Sequence, residues 1–405
     1  MSTLQDSFEL IVELPNSITP TCICMLEYQK VASQTDRMPK DSLETPLLGL
    51  FGEVGSLLSE LKKKRRDNIS DVKYNEAVIE ELGDVLWYFA IIISRTGLDI
   101  TVLAQRMFRE LSDWDEVEHQ HWGTFEDIQS QNDGEVSDEE FGKCLVDLAG
   151  KIGDLVKDFN AGKFTTNRDL LSAHLVEIFK AIVAAADAVD VSLEDAAYQN
   201  LRKIFSRWPI AENYAPLIDT LMPIDEQLPR KFEIYFEEQK VNHKTYVIQK
   251  CNGIIIGDRL TDNKQIKDDY RFHDVFHIAF AVYLGWSPVL RALFHLKRKS
   301  VSETDENQDG ARAILIEEGV ATFIFGYGLK LNLYKNASKV EYDLLKSIKK
   351  FVEGYEVQRC ALWQWEKAII NGFKVFNELK KHRKGYVLAD LEARTLEFKL
   401  EKDPQ

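Results

Sequence analysis

The chain contains two acidic segments set in apolar sequence: Gly52-Glu-Val-Gly-Ser-Leu-Leu-Ser-Glu60 and Glu80-Glu-Leu-Gly-Asp-Val-Leu-Trp-Tyr88. They lie within two runs, Leu47 to Leu61 and Ala77 to Ser94, whose apolar residues recur at the spacing of a helix. We therefore predict two amphipathic helices here and a mainly α-helical fold for this part of the chain.

Acidic residues share one face of each predicted helix. Glu53 and Glu60 are seven residues apart, and Glu81 and Asp84 are three apart. If the helices pack antiparallel, four carboxylates converge, and they repel one another unless a cation is present. Mg²⁺ prefers such hard oxygen ligands and bridges them to phosphates.

A solvated acidic helix face is the ordinary explanation for such a cluster. Two features oppose it. The sequence after Asp84 is continuously apolar, so the helix that carries it must be largely buried. Gly52, Gly55 and Gly83 lie inside the helices, where each costs about 1 kcal/mol relative to alanine. Close helix approach or a bound ligand would account for them.

Together the two segments resemble the MazG-like nucleoside triphosphate pyrophosphohydrolases. The resemblance implies Mg²⁺-dependent hydrolysis of a nucleoside triphosphate to a monophosphate and pyrophosphate. That family carries ExxE on one helix and ExxD on the next. Glu53, Glu81 and Asp84 match the pattern, whereas Ser56 stands where the second Glu would fall. Glu60, one turn further along the same face, is the candidate replacement for the missing ligand.

A second helix pair resembles the first. Leu145 to Asp158 aligns without a gap with Leu47 to Glu60, and both carry Gly-x-x-Gly. Further along, His174-Leu-Val-Glu177 aligns with the ExxD segment. Lys151 stands at the position of Glu53 and would repel Mg²⁺. We predict a tandem duplication whose second copy is catalytically degenerate and packs on the first as a pseudo-dimer; two unrelated amphipathic helix pairs are the alternative.

The chain divides into three predicted domains. Residues 1–125 form the first helical module, with the resemblance strongest over about 25–115, and residues 138–215 form the second. The polar stretch 123–137 between them is predicted to be a linker. Residues 225–405 form an α+β domain with a small β-meander and several helices. The meander has three predicted strands, at 231–238, 244–249 and 253–257.

The C-terminal domain carries His273-Asp-Val-Phe-His277, with two histidines one helical turn apart. Such a pair can present nitrogens to one zinc, iron or manganese ion. Glu318 is the predicted third ligand, Glu317 is an alternative to it, and Asp274 is an outer partner or alternative ligand. Histidines satisfied within an ordinary core are the competing interpretation.

The sequence signal for residues that contact the substrate is less specific. Lys63 and Arg66 belong to a basic stretch after Glu60 and are candidate phosphate contacts; a solvated helix end is the alternative. Trp87 lies on the face of Asp84 and is a candidate for stacking on a nucleotide base; a core tryptophan is the alternative.

Composition limits the class of protein. The 405 residues carry a formal net charge of -15, which disfavours nucleic-acid binding. The longest apolar run, Val85 to Ile93, is far shorter than the ~20 residues that span a bilayer. Five scattered cysteines without a CxxC pair, and an N-terminus unlike a secretory signal, favour a reduced, cytoplasmic protein.

These observations favour an enzyme that acts on a small nucleotide, and they leave a homo-oligomer open. The rival hypothesis is a non-catalytic module that senses nucleotide and regulates a metal-dependent C-terminal domain. The missing carboxylate at Ser56 favours the rival hypothesis, whereas Glu60, the candidate replacement for that ligand, favours the enzyme.

Overall fold

The computed structural model describes residues 23–40, 42–67, 71–109, 123–129, 137–165 and 167–401. The chain forms two compact units, Met1–Ile210 and Ala211–Gln405. It is mainly helical, with one small antiparallel sheet in the second unit. None of the described helices combines the length and the apolar character needed to cross a membrane.

The first unit is built from helices in the described part of the chain. They are α1 (Met25–Gln34), α2 (Glu44–Asp67), α3 (Asp71–Thr96), α4 (Ile100–Arg109), α5 (Phe125–Ile128), α6 (Asp138–Asn160), α7 (Arg168–Asp187) and α8 (Leu193–Arg207). One continuous hydrophobic core draws on all of them.

Helices α2 and α3 pack antiparallel along their lengths. Tyr88, near the end of α3, lies against Gly49, near the start of α2, where an added Cβ would come within 2.1 Å of the tyrosine ring. At the other end, the Lys64 ammonium lies 4.2 Å from the centre of the Tyr74 ring. The apolar stripe of α2 points into the core through Leu47, Leu50, Val54, Leu57 and Leu61.

Helices α6 and α7 form a second packed pair, and the two pairs share one core. The rings of Phe89 on α3 and Phe179 on α7 have centroids 5.2 Å apart. Helix α8 packs on α3, and α4 packs on α7, where Arg106 donates to the Ser172 hydroxyl at 2.6 Å. The helix that follows each pair therefore packs against the other pair. The duplication itself stays a prediction.

Part of the predicted linker belongs to the core of the first unit. Phe125 and Ile128 on α5 are 0% and 4% exposed, so the expectation of a linker beginning at residue 123 is wrong for this segment. Thr124 caps α5 in a capping box with Asp127 and pairs with Cys24. Two apolar side chains in a polar stretch anchor it without producing periodicity. Residues 130–136 lie outside the described residues.

The glycines inside the helices have different roles. A Cβ on Gly83 would lie 2.6 Å from the Ala196 carbonyl oxygen and 2.9 Å from the Asn200 Cβ, so close helix approach explains this glycine. Gly52 and Gly55 have no atoms within 4 Å of such a Cβ. Close approach between the described helices therefore does not explain them.

The second unit combines five strands with further helices. The strands are β1 (Lys231–Val241), β2 (Lys244–Cys251), β3 (Ile254–Leu260), β4 (Lys384–Asp390) and β5 (Thr395–Lys399), in the order β3-β2-β1-β4-β5. The helices are α9 (Asp274–Leu284), α10 (Pro288–Leu293), α11 (Ser302–Asn307), α12 (Ala311–Lys330), α13 (Tyr342–Phe351) and α14 (Leu362–His382).

The sheet extends the predicted meander by a C-terminal hairpin. Strand β4 pairs with β1 from Lys231↔Asp390 to Glu237↔Lys384. This pairing joins segments about 150 residues apart, and such distant pairing leaves no local periodicity to detect. A short 3₁₀ turn at Tyr270–Phe272 precedes α9, which begins at Asp274.

Helix α9 is buried over its whole length. Every residue from Asp274 to Leu284 is buried, and the helix ends at Gly285, whose φ of +68° suits glycine. Phe276 packs on Phe373 of α14, with ring centroids 4.8 Å apart. The polar residues of this helix are therefore held in an apolar setting.

Gly83→Ala should destabilise the first unit, because the methyl group meets backbone and forces α3 and α8 apart; overpacking of this kind costs about 1–3 kcal/mol. Gly52→Ala is the matched control, since its Cβ meets no atoms and alanine is the better helix former by ~1 kcal/mol. Urea unfolding of both variants measures the difference. Equal or inverted effects would contradict the close packing at Gly83.

Candidate functional site

Three carboxylates converge between α2 and α3. One oxygen from each of Glu53, Glu81 and Asp84 lies within 4.8 Å of the others, and we call these three residues the acidic cluster. Antiparallel packing brings the faces together: Glu53 lies midway along α2, opposite the turn of α3 that carries Glu81 and Asp84. All three side chains are partly buried.

Burial raises the pKa values of all three carboxyl groups, and repulsion from neighbouring carboxylates adds to the effect. For Glu81, desolvation and the charges of Asp84 and Glu53 raise the pKa to about 8. Burial, with the charge of Asp84, also raises the pKa of Glu53. Burial raises the pKa of Asp84 as well, although the Lys203 ammonium partly offsets this effect. In the absence of a cation the cluster therefore retains a proton between Glu53 and Glu81, whose side chains are hydrogen-bonded.

Helix α8 brings two further polar residues to the acidic cluster. Asn200 donates its amide N–H to Asp84 Oδ1 at 2.8 Å, and Lys203 binds both oxygens of Asp84. Lys203 Nζ also lies 3.9 Å from Glu80. The sequence analysis missed both residues. Their spacing of three on one helix was a usable signal, since the predicted pseudo-dimer places the second module against the first.

Two buried polar atoms beside the cluster lack a hydrogen-bond partner among the described residues. They are the Asn200 carbonyl oxygen Oδ1 and the Tyr28 hydroxyl. Burial, together with the negative charge of Asp84, raises the pKa of Tyr28, so its hydroxyl stays protonated. A buried acceptor and a buried donor without partners each carry a desolvation cost that a bound ligand would relieve. The donor set of oxygens fits Mg²⁺.

Glu60 does not join the acidic cluster in this structure. Its carboxylate pairs with Lys63 one turn along α2. The residue aligned with Glu60 in the second helix pair has a different partner. Asp158, aligned with Glu60, lies 3.1 Å from the ring nitrogen of His174, which is aligned with Glu81. Ser56, where the resemblance predicts the second Glu of ExxE, is partly buried.

Each predicted substrate contact has a partner within the chain. Lys63 is paired with Glu60, and Arg66 is exposed and bonded to Asp67 at 2.6 and 2.7 Å. Trp87 is only 8% exposed, and its indole N–H donates to Thr35 Oγ1 at 2.9 Å. These contacts favour a structural role for Trp87.

In the second helix pair, ion pairs occupy the positions that correspond to the acidic cluster. Lys151 binds Glu177, the residue aligned with Asp84, at 3.0 Å. Lys180 binds the other oxygen of Glu177 at 2.9 Å. These hydrogen bonds lower the pKa of Glu177, the opposite of the shift at Asp84. The negative charge of Glu177 is therefore neutralised by lysines within the chain.

A second group of ligand-type residues lies in the second unit, where His273, Asp274 and His277 each place one ligand atom within 4.8 Å of the others. Glu318 Oε2 lies 3.6 Å from His273 Nε2 and 3.5 Å from His277 Nε2. Glu317 is instead bonded to Nδ1 of His277 at 2.8 Å. The three predicted ligands are thus brought together with Asp274.

The acidic cluster should make stability depend on pH and on Mg²⁺. Because folding raises the pKa of Glu81 from 4.5 to about 8, its proton favours the folded state, and the metal-free protein should lose stability as pH rises through that window. Mg²⁺ should raise the melting temperature more at pH 8.5 than at pH 6. Glu81→Gln should remove both effects and stabilise the metal-free protein at high pH.

Glu76→Gln is the matched control for this measurement, since Glu76 is an exposed residue of the same helix. Melting temperatures across pH, with chelator and with Mg²⁺, should superimpose for Glu76→Gln and the unsubstituted protein. If Glu81→Gln also follows the same curve, the carboxyl group does not take up a proton in the folded state.

Comparison with known proteins finds a family for the second unit. Residues 213–402, slightly less than half of the chain, match the family model described as the MazG C-terminal domain. No curated protein and no solved structure matches the chain significantly. The matched segment is the part that the sequence analysis left without a family, and its match supports a relationship of this chain to the MazG-like proteins.

Proposed function

We propose that the first unit is a Mg²⁺-dependent nucleoside triphosphate pyrophosphohydrolase. The observation that carries this proposal is the convergence of Glu53, Glu81 and Asp84 from two packed helices, with ligand oxygens within 4.8 Å of one another. The match of the second unit to the MazG C-terminal domain supports it independently, because that match does not involve the helices of the acidic cluster.

The proposed reaction adds water across the bond between the α- and β-phosphates and yields a nucleoside monophosphate and pyrophosphate. Bound Mg²⁺ would polarise a phosphoryl oxygen and lower the pKa of a coordinated water. Glu53, Glu81 and Asp84 would hold the ion. Glu81 must release its proton for this, because its pKa of about 8 reflects the cation-free cluster.

Lys203 supplies a positive charge at the edge of the acidic cluster. It binds Asp84 in the absence of other ligands. If Asp84 held a metal ion, the ammonium group would be available as a counter-charge for a substrate phosphate, and Asn200 would keep Asp84 oriented. The second helical module would then contribute to the site of the first, within one chain.

The fourth carboxylate of the proposed site is Glu60. The contact between Asp158 and His174 supports this assignment, because the sequence aligns Asp158 with Glu60 and His174 with Glu81. A change of side-chain rotamer away from Lys63, an exposed partner, would bring Glu60 toward the cluster. Exposed ion pairs of this kind contribute about 0–1 kcal/mol, so breaking the pair costs little.

The second helix pair is proposed to be catalytically inactive. Lys151 and Lys180 neutralise Glu177, and His174 stands in place of a carboxylate. An ammonium group at a ligand position repels Mg²⁺, so the role of this pair is to complete the core and to position α8.

A non-catalytic nucleotide sensor is the second candidate function. The ion pair between Lys203 and Asp84 favours it, because an internal cation already occupies part of the acidic cluster, and Ser56 removes one expected ligand. In such a protein the first unit would bind nucleotide without hydrolysing it and would regulate a metal-dependent second unit.

Removing a carboxylate should separate the roles of the two helix pairs. Glu53→Gln and Asp84→Asn should each lower turnover by more than the 10–100-fold typical of outer-sphere changes, because they remove direct ligands. Glu60→Gln should cost about as much as Glu53→Gln. Glu177→Gln, at the position aligned with Asp84, should leave turnover unchanged.

The assay is a panel of ribo- and deoxynucleoside triphosphates with Mg²⁺, read out as both pyrophosphate and monophosphate. Circular dichroism establishes that each variant is folded. Wild-type turnover in both Glu53→Gln and Asp84→Asn would exclude the acidic cluster as the active site. A silent Glu60→Gln beside an inactive Glu53→Gln would leave a three-carboxylate site.

Lys203→Met distinguishes the enzyme from the sensor. If Lys203 binds substrate phosphate, kcat/KM should fall by at least about tenfold, the effect of one lost charge-assisted contact of ~1.5–3 kcal/mol, while Mg²⁺ still raises the melting temperature. Lys157→Met, at an exposed lysine of α6, is the control. The sensor would be identified by two results together. The unsubstituted chain would bind nucleotide without turnover, and the Lys203→Met variant would bind Mg²⁺ more tightly than the unsubstituted chain.

A further inference from the structure

We propose that the second unit binds one divalent transition-metal ion, of the zinc class, through Nε2 of His273 and His277 and the carboxylates of Asp274 and Glu318. We call these four residues the His-carboxylate site. It lies at the start of α9 and on α12, in the other unit from the acidic cluster, and is independent of the proposed hydrolase.

The spacing of the ligand atoms fits the edges of a metal polyhedron. Ligand atoms held about 2.1 Å from one ion in a tetrahedron are about 3.4 Å apart. Glu318 Oε2 lies 3.5 Å from His277 Nε2 and 3.6 Å from His273 Nε2. Asp274 Oδ1 lies 3.2 Å from His273 Nε2. The two contacts of Glu318 are too long for good hydrogen bonds, so direct bonding does not explain the convergence.

Both imidazole rings are oriented with Nε2 facing the site. His273 Nδ1 lies 2.9 Å from the Tyr270 carbonyl oxygen, which only accepts, so this nitrogen carries the ring proton. His277 Nδ1 lies 2.8 Å from Glu317 Oε1 and is held in the same way. A ring whose Nδ1 carries its proton offers the lone pair of Nε2 to an ion. A proton on Nδ1 directed to a carbonyl or carboxylate is the usual outer arrangement of metal-binding histidines.

Glu317 serves as an outer-sphere anchor. Its side chain is 0% exposed, and three donors hold its two oxygens. The Ser287 hydroxyl and the His277 ring bond Oε1 at 2.7 and 2.8 Å, and the Val289 backbone N–H bonds Oε2 at 2.8 Å. This satisfied carboxylate fixes the ring of His277 and leaves the adjacent Glu318 as the ligand on α12.

A buried, unsatisfied nitrogen points independently to a ligand. His277 is 0% exposed, and its Nε2 has no hydrogen-bond partner among the described residues. Leaving such an atom without a partner is unfavourable, because burial removes its hydrogen bond to water and nothing replaces it. The two oxygens of Asp274 also have different partners. Gln249 donates to Oδ2, whereas Oδ1 faces His273. A metal ion would satisfy the inward-facing atoms together.

The ligand set indicates the class of ion and the side from which it is reached. Two imidazoles with two carboxylates suit zinc and also iron or manganese, and spacings near those of a tetrahedron favour zinc. His273, Asp274 and His277 are at most 7% exposed, whereas the Glu318 side chain is 39% exposed. The site therefore opens to solvent beside Glu318, where water or a substrate group could reach the ion.

Metal analysis of the full-length chain tests the proposal without any assay of activity. The chain is stripped with chelator, loaded with Zn²⁺ in the presence of a competing chromogenic chelator, and analysed for zinc content. Close to one zinc per chain is expected to resist the chelator. Co²⁺ loaded in place of zinc should give the intense visible absorption of a four-coordinate ion.

Four variants assign the ligands. His273→Ala with His277→Ala should weaken zinc binding by about 100-fold or more, and Glu318→Gln should weaken it with the fold intact, because this residue lies at the solvent edge. Glu317→Gln should weaken it about 10–100-fold as an outer-sphere change. His382→Ala removes a histidine 3.3 Å from Glu378 elsewhere in this unit and should have no effect.

Two outcomes would overturn the proposal. One is a chain that takes up no zinc, iron or manganese above the level of the double histidine variant. The other is zinc bound equally well by unsubstituted protein and by folded Glu318→Gln. Glu81→Gln should retain its zinc, which separates this site from the acidic cluster and separates failure here from failure of the proposed hydrolase.

Discussion

The burial of α3 is the constraint on which the first unit depends. From Val85 to Ile93, every residue except Tyr88 is at most 8% exposed, and α2, α7 and α8 pack around this helix. The carboxylates of Glu81 and Asp84 lie one turn before that segment, so they are carried into a partly desolvated position that isolated acidic residues avoid. Desolvation and repulsion then raise the pKa values of the cluster. The apolar packing of the helix thus creates the electrostatic need for a cation.

The two units bring together ligand-type residues of different chemistry. In the first unit, carboxylates from two helices form a hard oxygen site beside a lysine and an asparagine, which suits Mg²⁺ and phosphates. In the second, imidazole rings fixed at Nδ1 suit a transition metal, and an anchored carboxylate holds one of them. One chain would then hold two ions without competition between the sites, because the ligand types differ.

Lys203 shows how a cation within the chain stabilises a buried carboxylate. Its ammonium group neutralises Asp84 and partly offsets the effect of burial on the pKa of that residue. The second helix pair goes further, since Lys151 and Lys180 neutralise Glu177 completely. At Glu53 and Glu81, burial and repulsion instead raise the pKa values, so these two carboxyl groups share a proton.

Local periodicity in the sequence was sufficient to predict the helices and the shared faces of Glu53, Glu81 and Asp84, because spacings of three, four and seven residues are set by helical geometry alone. The three strands of the first meander were predictable for a similar reason. Periodicity does not specify how a helix is rotated against its neighbours. The tertiary structure therefore decided that Glu60 pairs with Lys63. It decided likewise that Glu318 faces Nε2 of both histidines, whereas Glu317 bonds Nδ1 of His277. It also decided that Asn200 and Lys203, 116 and 119 residues away in sequence, contact Asp84, because contacts between distant segments arise only when packing brings their helices together.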